Sequence, residues 1–278
     1  MSDPDEDWRR LNRANWDERV AVHLGSGGYD LTDLRGGHMS MNAIEERELG
    51  TVAGQRVLHL QCHFGRDSLC LAQRGAAAVV GLDFSAPAIE AARGLASELG
   101  LASRTGFVRA DLYDAKAAIG EAASFDLVYV TWGALIWLPD IAEWARIVAH
   151  FLKPGGRLYL AEVHPAALVF DDTTQDPEGR PGWFAPYFHA GPLEIVDDRD
   201  SMDPAARLTN TRTHQFIHPI GSVIAALLDA GLKLEWFHEH DAIAWRMFKC
   251  QIEGDDGLFR WPDKAWLPLA FSLQARKA

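Results

Sequence analysis

Between residues 56 and 163, short apolar runs alternate with longer stretches in which apolar positions recur every three or four residues. The runs predict buried strands over 57–61, 78–83, 106–110, 125–131 and 157–163, and the periodic stretches predict helices over 66–74, 86–99, 114–120 and 140–152. Strands separated by helices need crossover connections, which are right-handed and produce a parallel sheet. Lys153-Pro154-Gly155-Gly156 stops a helix ahead of the fifth strand. Proline cannot extend the helix, and one of the two glycines supplies a positive φ.

On the N-terminal side, residues 2–7 read as a loosely attached acidic tail. Trp8, Leu11, Asn15-Trp16 and Val20 then recur at helical spacing. Gly25 to Gly28 and Gly36-Gly37 break the pattern, a second helix is expected around Met39 to Leu49, and a turn falls at Ala53-Gly54-Gln55. After the fifth strand the character changes. Pro165, Pro177, Pro181, Pro186, Pro192, Pro204 and Pro219 are scattered among acidic and aromatic residues. Connections this long inside a compact domain are usually functional. His164, Trp183, Phe184, Tyr187, Phe188, His189 and Phe216 give this one enough aromatic surface to fold as a lid. A helix over 220–230 ending at Gly231 and strands over 232–237 and 270–275 complete the pattern, with an aromatic-rich segment between the two strands. The expected organisation is an N-terminal helical cap (1–54), a Rossmann-like core (55–163), a lid or substrate insertion (164–219) and the C-terminal part of the core sheet (220–278).

Composition narrows the function. The 27 Lys and Arg against 39 Asp and Glu give a net charge of −12, and no basic cluster is denser than Arg9-Arg10. A nucleic-acid partner is therefore not expected. No window approaches the roughly 18 uninterrupted apolar residues of a membrane span. The three cysteines form no CxxC pair, and the acidic start is the opposite of a signal peptide, so a reduced, cytoplasmic setting is expected.

The chemistry concentrates in the first βαβ unit. A strand ending in a short Gly-containing loop and then a helix lets backbone N–H groups approach a ligand. A dinucleotide fingerprint needs three glycines, and the loop Gln61-Cys62-His63-Phe64-Gly65 has one. That leaves a smaller group, such as an amino-acid moiety, for this loop. Asp83, closing the second strand about 20 residues further on, is placed to accept from ribose hydroxyls.

His59-Leu60-Gln61-Cys62-His63-Phe64-Gly65, Gly81-Leu82-Asp83-Phe84-Ser85, Val108-Arg109-Ala110-Asp111-Leu112, Phe125-Asp126 through Thr131-Trp132-Gly133, and Lys153-Pro154-Gly155-Gly156 occur in order. Together they resemble the motifs of class I S-adenosylmethionine-dependent methyltransferases, in a bacterial small-molecule subgroup. The resemblance covers roughly 55–163, and the last strand extends it to the C-terminus. It implies a Rossmann-like α/β fold: a seven-stranded, mostly parallel sheet with helices on both faces, an antiparallel last strand and a lid insertion after strand five. It implies S-adenosyl-L-methionine as cofactor, held by Trp16, Gln61, Cys62, His63, Phe64, Gly65, Asp83, Phe84, Ser85, Asp111, Leu112, Thr131, Trp132 and Gly133. The family's acidic residue and glycines are replaced here by His59, Gln61 and His63.

The implied activity is methyl transfer to an oxygen, nitrogen or carbon of a small, partly apolar organic molecule, by a monomer or homodimer. Two alternatives stand beside it: an enzyme that uses the same cofactor without methylating, such as a cyclase, and a silent sensor or scaffold that binds it. Tyr29, Trp132, Tyr187 and Arg246 are the candidate substrate contacts. In-line displacement draws on positioning, and a base is needed only where the nucleophile sheds a proton. His164, His189 and His240 are the candidate bases. Alternation would put His238 and His240 on one strand face, as two metal ligands require, but the sequence offers no third, so no metal is expected.

Overall fold

The computed structural model describes residues 4–203 and 205–278. Helix α1 spans Pro4–His23. The stretch read as a loose tail is thus helical from Pro4 onward, and residues 1–3 lie outside the described ones. Proline is tolerated in a first helical turn, where its missing N–H has no partner to lose. A short helix not foreseen from the pattern, α2 (Thr32–Gly36), forms in the glycine-punctuated stretch. Helix α3 (Ala43–Glu48) is shorter than the expected 39–49. It starts where it does because the Asn42 side chain accepts the N–H groups of Ile44 and Glu45, at 3.0 and 3.3 Å.

The alternating core follows as β1 (Arg56–Leu60), α4 (Arg66–Gln73), β2 (Ala78–Asp83), α5 (Ala86–Glu98), β3 (Thr105–Arg109), α6 (Ala115–Ile119), β4 (Phe125–Thr131), α7 (Ile141–Phe151) and β5 (Leu152–Val163). Strand β5 begins five residues before its apolar run, because Leu152 already pairs with Phe125 ahead of an irregularity in the β4–β5 register. Gly155, at φ 76°, makes the bend there.

Beyond β5 come β6 (Phe170–Gln175), β7 (Pro181–Trp183), β8 (Leu193–Val196), β9 (Arg212–Gln215), α8 (Ile220–Asp229), β10 (Leu232–His240), β11 (Ala242–Ile243), β12 (Ile252–Glu253), β13 (Phe259–Arg260) and β14 (Ala270–Lys277). The main sheet has seven strands in the order β10-β14-β5-β4-β1-β2-β3. β1, β2 and β3 run parallel, as do β4 and β5, whereas β14 is antiparallel to both β5 and β10. This is the expected Rossmann-like class. Its inner strands read as continuous apolar runs because both faces are covered: Leu127, Val128, Tyr129, Val130, Leu158 and Leu160 are all fully buried. Among the described residues no helix is long and apolar enough to cross a membrane.

The chain groups into two compact units. One comprises 1–39, 52–122 and 191–216; the other comprises 40–51, 123–190 and 217–278. The stretch 164–219 is shared between them. In the first unit, β8 and β9 form a hairpin-like strap that docks on α1 through polar side chains. Asn12 behaves as an extra strand residue: its Nδ2 donates to the His214 carbonyl at 2.9 Å and its Oδ1 accepts the His214 N–H at 2.8 Å. Asn15 donates to the Asn210 carbonyl at 2.6 Å. The Glu18 carboxylate accepts four hydrogen bonds, from the backbone and side chains of Thr209 and Asn210. In the second unit, a satellite core of Ile243, Phe248, Leu258, Trp261 and Leu269 lies under the small sheet of β11, β12 and β13.

Candidate cofactor site

In the first unit the loop after β1 is shaped by left-handed backbone. Gln61, His63 and Gly65 have φ of 57°, 50° and 79°. The Cys62 N–H donates to the Leu82 carbonyl and the Gly65 N–H to the Cys62 carbonyl, each at 2.9 Å, which closes the turn. Positive φ is natural for glycine, so the loop keeps a glycine-type path while carrying two side chains, at about 1–3 kcal/mol of strain each. Gly65 is different. A Cβ there would sit 2.7 Å from the Phe107 ring and 2.9 Å from the Ala92 methyl, so no side chain fits.

Asp83 ties this loop to the next helix. One carboxylate oxygen accepts the His63 N–H at 2.8 Å and the other accepts the Ser85 N–H at 2.9 Å. Ser85 in turn caps α5 by accepting the Ala88 N–H. Burial pushes the Asp83 carboxyl up to about 6, over the opposing effect of those backbone bonds. Phe84, half-buried, lies under the Arg13 guanidinium at 5.9 Å. Asp111 accepts the Tyr113 N–H at 2.9 Å and pairs with Arg9 at 3.4 Å, while Leu112 beside it is buried. The Cys62 thiol is buried, and that burial drives its pKa well up, so it packs as an unreactive group.

The most connected feature joins His63, a predicted cofactor residue, to three residues the sequence reading missed, Arg19, His23 and Asp200. Arg19 donates to an Asp200 carboxylate oxygen at 2.8 Å, and His23 Nε2 reaches the same oxygen at 3.1 Å. His23 Nδ1 then meets His63 Nε2 at 2.8 Å. The other Asp200 oxygen accepts the N–H groups of Met202 and Asp203. Trp16 packs edge-on against both imidazoles, and Tyr29 against His23 and Phe64. Burial holds the His63 pKa down at about 3, helped by the charge of His23, and also lowers that of His23 against the pull of Asp200. Burial raises the Tyr29 hydroxyl to about 12. Seven residues separate Trp16 from His23, two turns along one helical face; that spacing was the available signal.

In the second unit, Trp132 also has a positive φ, of 50°, and Gly133 follows at 78°. The Trp132 indole donates to Glu45 at 3.0 Å, and the Tyr129 hydroxyl donates to the same buried carboxylate. Trp245 packs edge-on against Trp132 at 5.7 Å. Glu162, at the end of β5, accepts the N–H groups of Gly133 and Ala134. Burial pushes its carboxyl up to about 7 despite those bonds. Thr131 is buried.

The three candidate histidines are not brought together by any hydrogen bond among the described residues. His164 accepts the Ala166 N–H and faces Glu239 at 3.1 Å. His240 meets the Ser272 hydroxyl at 2.8 Å. His189 is half-buried in the segment after β7. The Tyr187 hydroxyl accepts the Ile220 N–H, and Arg246 lies exposed over the Phe259 ring. Glu48 pairs with His238 and His240, yet no group of three or more potential ligands for a metal occurs among the described residues.

The first unit fits an adenosine sulfonium. Asp83 holds a buried carboxylate whose two oxygens each keep a lone pair for a hydroxyl donor. Asp17, whose charge adds to the raised pKa of Asp83, has a buried Oδ1 that lacks a partner among the described residues. Carboxylates of this kind favour a cationic ligand over a pyrophosphate.

Residues 57–156 match the family described as a methyltransferase domain. Over these residues the chain is thus similar to methyltransferase domains, and S-adenosylmethionine is the cofactor that this likeness implies. Over 160 residues it is 31% identical to the methyltransferase GfsG of Streptomyces halstedii, covering 58% of this chain and 55% of that protein. Over 172 residues it is 28% identical to 27-O-demethylrifamycin SV methyltransferase of Amycolatopsis mediterranei (strain S699), covering 60% and 58%. The chain thus aligns with little more than half the length of these curated relatives. A crystal structure of an S-adenosylmethionine-dependent methyltransferase from Mesorhizobium loti superposes with a TM-score of 0.58 at 25% identity, over 84% of this chain and 96% of that one.

Proposed function

We propose that this protein transfers a methyl group from S-adenosylmethionine to an oxygen of a small, partly apolar organic molecule, in a cytoplasmic setting. The observation that carries the reading is the buried Asp83 carboxylate, which binds both the strained loop and the cap of α5 while retaining lone pairs for a ribose. Oxygen is favoured as acceptor because one relative is named for a 27-O-demethyl substrate. Cytoplasmic residence is supported by Cys62, Cys70 and Cys250, all of them free thiols.

The bound cofactor supplies an electrophilic methyl on a sulfonium centre. The chain's part is to bind and orient. Asp83 accepts from ribose hydroxyls, Phe84 and Leu112 offer apolar surface to the adenine, and Asp111 supplies an acceptor at its edge. Gln61 and His63 keep the glycine-type loop path against the amino-acid end. Trp16, packed on both imidazoles, and Tyr29, packed on that of His23, exclude water.

Calorimetry with S-adenosylhomocysteine tests this. The parent binds, and Asp83→Asn weakens binding by at least about tenfold, the equivalent of 1.4 kcal/mol. Equal affinity of the two proteins, or no binding by the parent, refutes it. Mass spectrometry of incubations with a panel of small, partly apolar hydroxylated compounds and S-adenosylmethionine then separates methyl transfer, which makes a product heavier by one CH2, from other uses of the cofactor.

A further inference from the structure

The chain Asp200–His23–His63 has a fixed polarity. A carboxylate can only accept, so His23 donates to Asp200 through Nε2–H. A neutral His23 then has an acceptor at Nδ1, and His63 must donate to it through its own Nε2–H. His63 is left with a lone pair on Nδ1, which has no partner among the described residues. The ring cannot turn away. Trp16, His23 and Phe64 hold it edge-on at centroid distances of 5.3, 5.0 and 4.7 Å, and its backbone is anchored by Asp83. A built, buried relay thus ends in one oriented acceptor on the cofactor loop.

We propose that the Asp200–His23 pair locks His63 as a positioning residue whose Nδ1 accepts a hydrogen bond from the α-ammonium group of the cofactor. This rests on the cofactor reading above. The cofactor has three kinds of hydrogen-bond donor, and the reading gives the ribose hydroxyls to Asp83 and the adenine amino group to Asp111. The ammonium is the remaining one, and His63 is the loop residue with an acceptor to offer. A neutral imidazole suits the task, since an imidazolium would repel both the ammonium and the sulfonium. The low pKa of His63 keeps it neutral throughout the physiological range. Because Asp200 lies on the strap and His23 on α1, the same contact reports the seating of those elements to the loop.

Two ligands separate this role from a merely structural one. S-adenosylhomocysteine carries the ammonium; 5′-methylthioadenosine keeps adenine, ribose and sulfur but lacks the amino-acid part. His63→Gly removes the ring without backbone strain, because φ is already positive. It weakens S-adenosylhomocysteine at least about tenfold and leaves methylthioadenosine within about twofold of the parent. His63→Asn, which tolerates the same backbone and restores an acceptor, recovers most of the loss, and Asp200→Asn shows part of it. In 15N-histidine spectra the His63 Nδ1 resonance moves upfield when S-adenosylhomocysteine is added. Equal losses for both ligands in His63→Gly, or an Nδ1 resonance that stays put at saturation, overturn the proposal. A parent that binds neither ligand removes the cofactor reading, and this inference falls with it.

Discussion

Gln61, His63 and Trp132 take a left-handed backbone that L side chains avoid, and His63 and Trp132 are each tethered by a carboxylate. Asp83 grips the His63 N–H, while Glu45 holds the Trp132 indole and Glu162 the two N–H groups that follow it. Strain of this sort survives only where neighbours over-determine it. Glu162 makes the tether measurable. Its folded pKa, about 7, stands above its ordinary 4.5, so in that window the folded protein keeps a proton that the unfolded chain releases. Its contribution is whole below the unfolded pKa and is lost as pH rises through the folded one. Glu162→Gln removes this loss and still accepts both N–H groups. Urea unfolding should find the variant gaining on the parent by about 2–3 kcal/mol between roughly pH 5 and pH 8. A stability difference that does not change with pH would show that Glu162 is not the titrating latch.

At the level of elements, α1 and the strap show what the apolar pattern conceals. The expected inward face included Leu11, but Leu11 is only half-buried, whereas Asn12 and Asn15 are 1% and 0% exposed. Two buried asparagines on a helix look like a defect in periodicity, yet their partners are backbone groups of 210–214, invisible to any pattern of side chains. The same holds for His23 and Asp200, 177 residues apart in the chain. By contrast Gly65, Asp83 and Ser85 were legible, because a turn, a strand end and a helix cap are local features. Asn12→Ala leaves the His214 N–H and carbonyl without that partner and should cost about 1–3 kcal/mol. Hydrogen exchange is the sensitive measurement: amides over 209–215 should lose protection in the variant while those of β2 keep theirs. Protection unchanged over 209–215 would mean that the strap is held by something else.

For the whole molecule, the core strands were readable because a sheet covered on both faces turns burial into unbroken apolar runs. The segments after β5 were not, since β6 and β7 pair through an irregular register and β11 meets β13 over two residues, too few to leave an alternating pattern. Burial has a further consequence that composition alone hides. Among the described residues, His23, His59, His63, His164, His218 and His240 have lowered pKa values, each chiefly through burial, whereas Asp83 and Glu162 are the carboxyls raised by it. Below an imidazole's ordinary 6.5 the unfolded chain takes up protons that these buried rings refuse, so each contributes stability that grows as pH rises toward 6.5. The two carboxyls slope the other way over the same range. His59 and His63, held at about 4 and 3, roughly offset the two carboxyls at about 6 and 7, and the four other lowered histidines tip the sign: the urea midpoint should rise from about pH 5 to about pH 7. His59 is the cleanest probe, being buried, bonded to the Ser68 hydroxyl at 2.8 Å and held at about 4. His59→Gln takes one such proton out of the balance and should shrink the gain over that interval by about 2 kcal/mol. A midpoint that falls toward pH 7 in the parent would mean that the buried carboxyls govern the acid response.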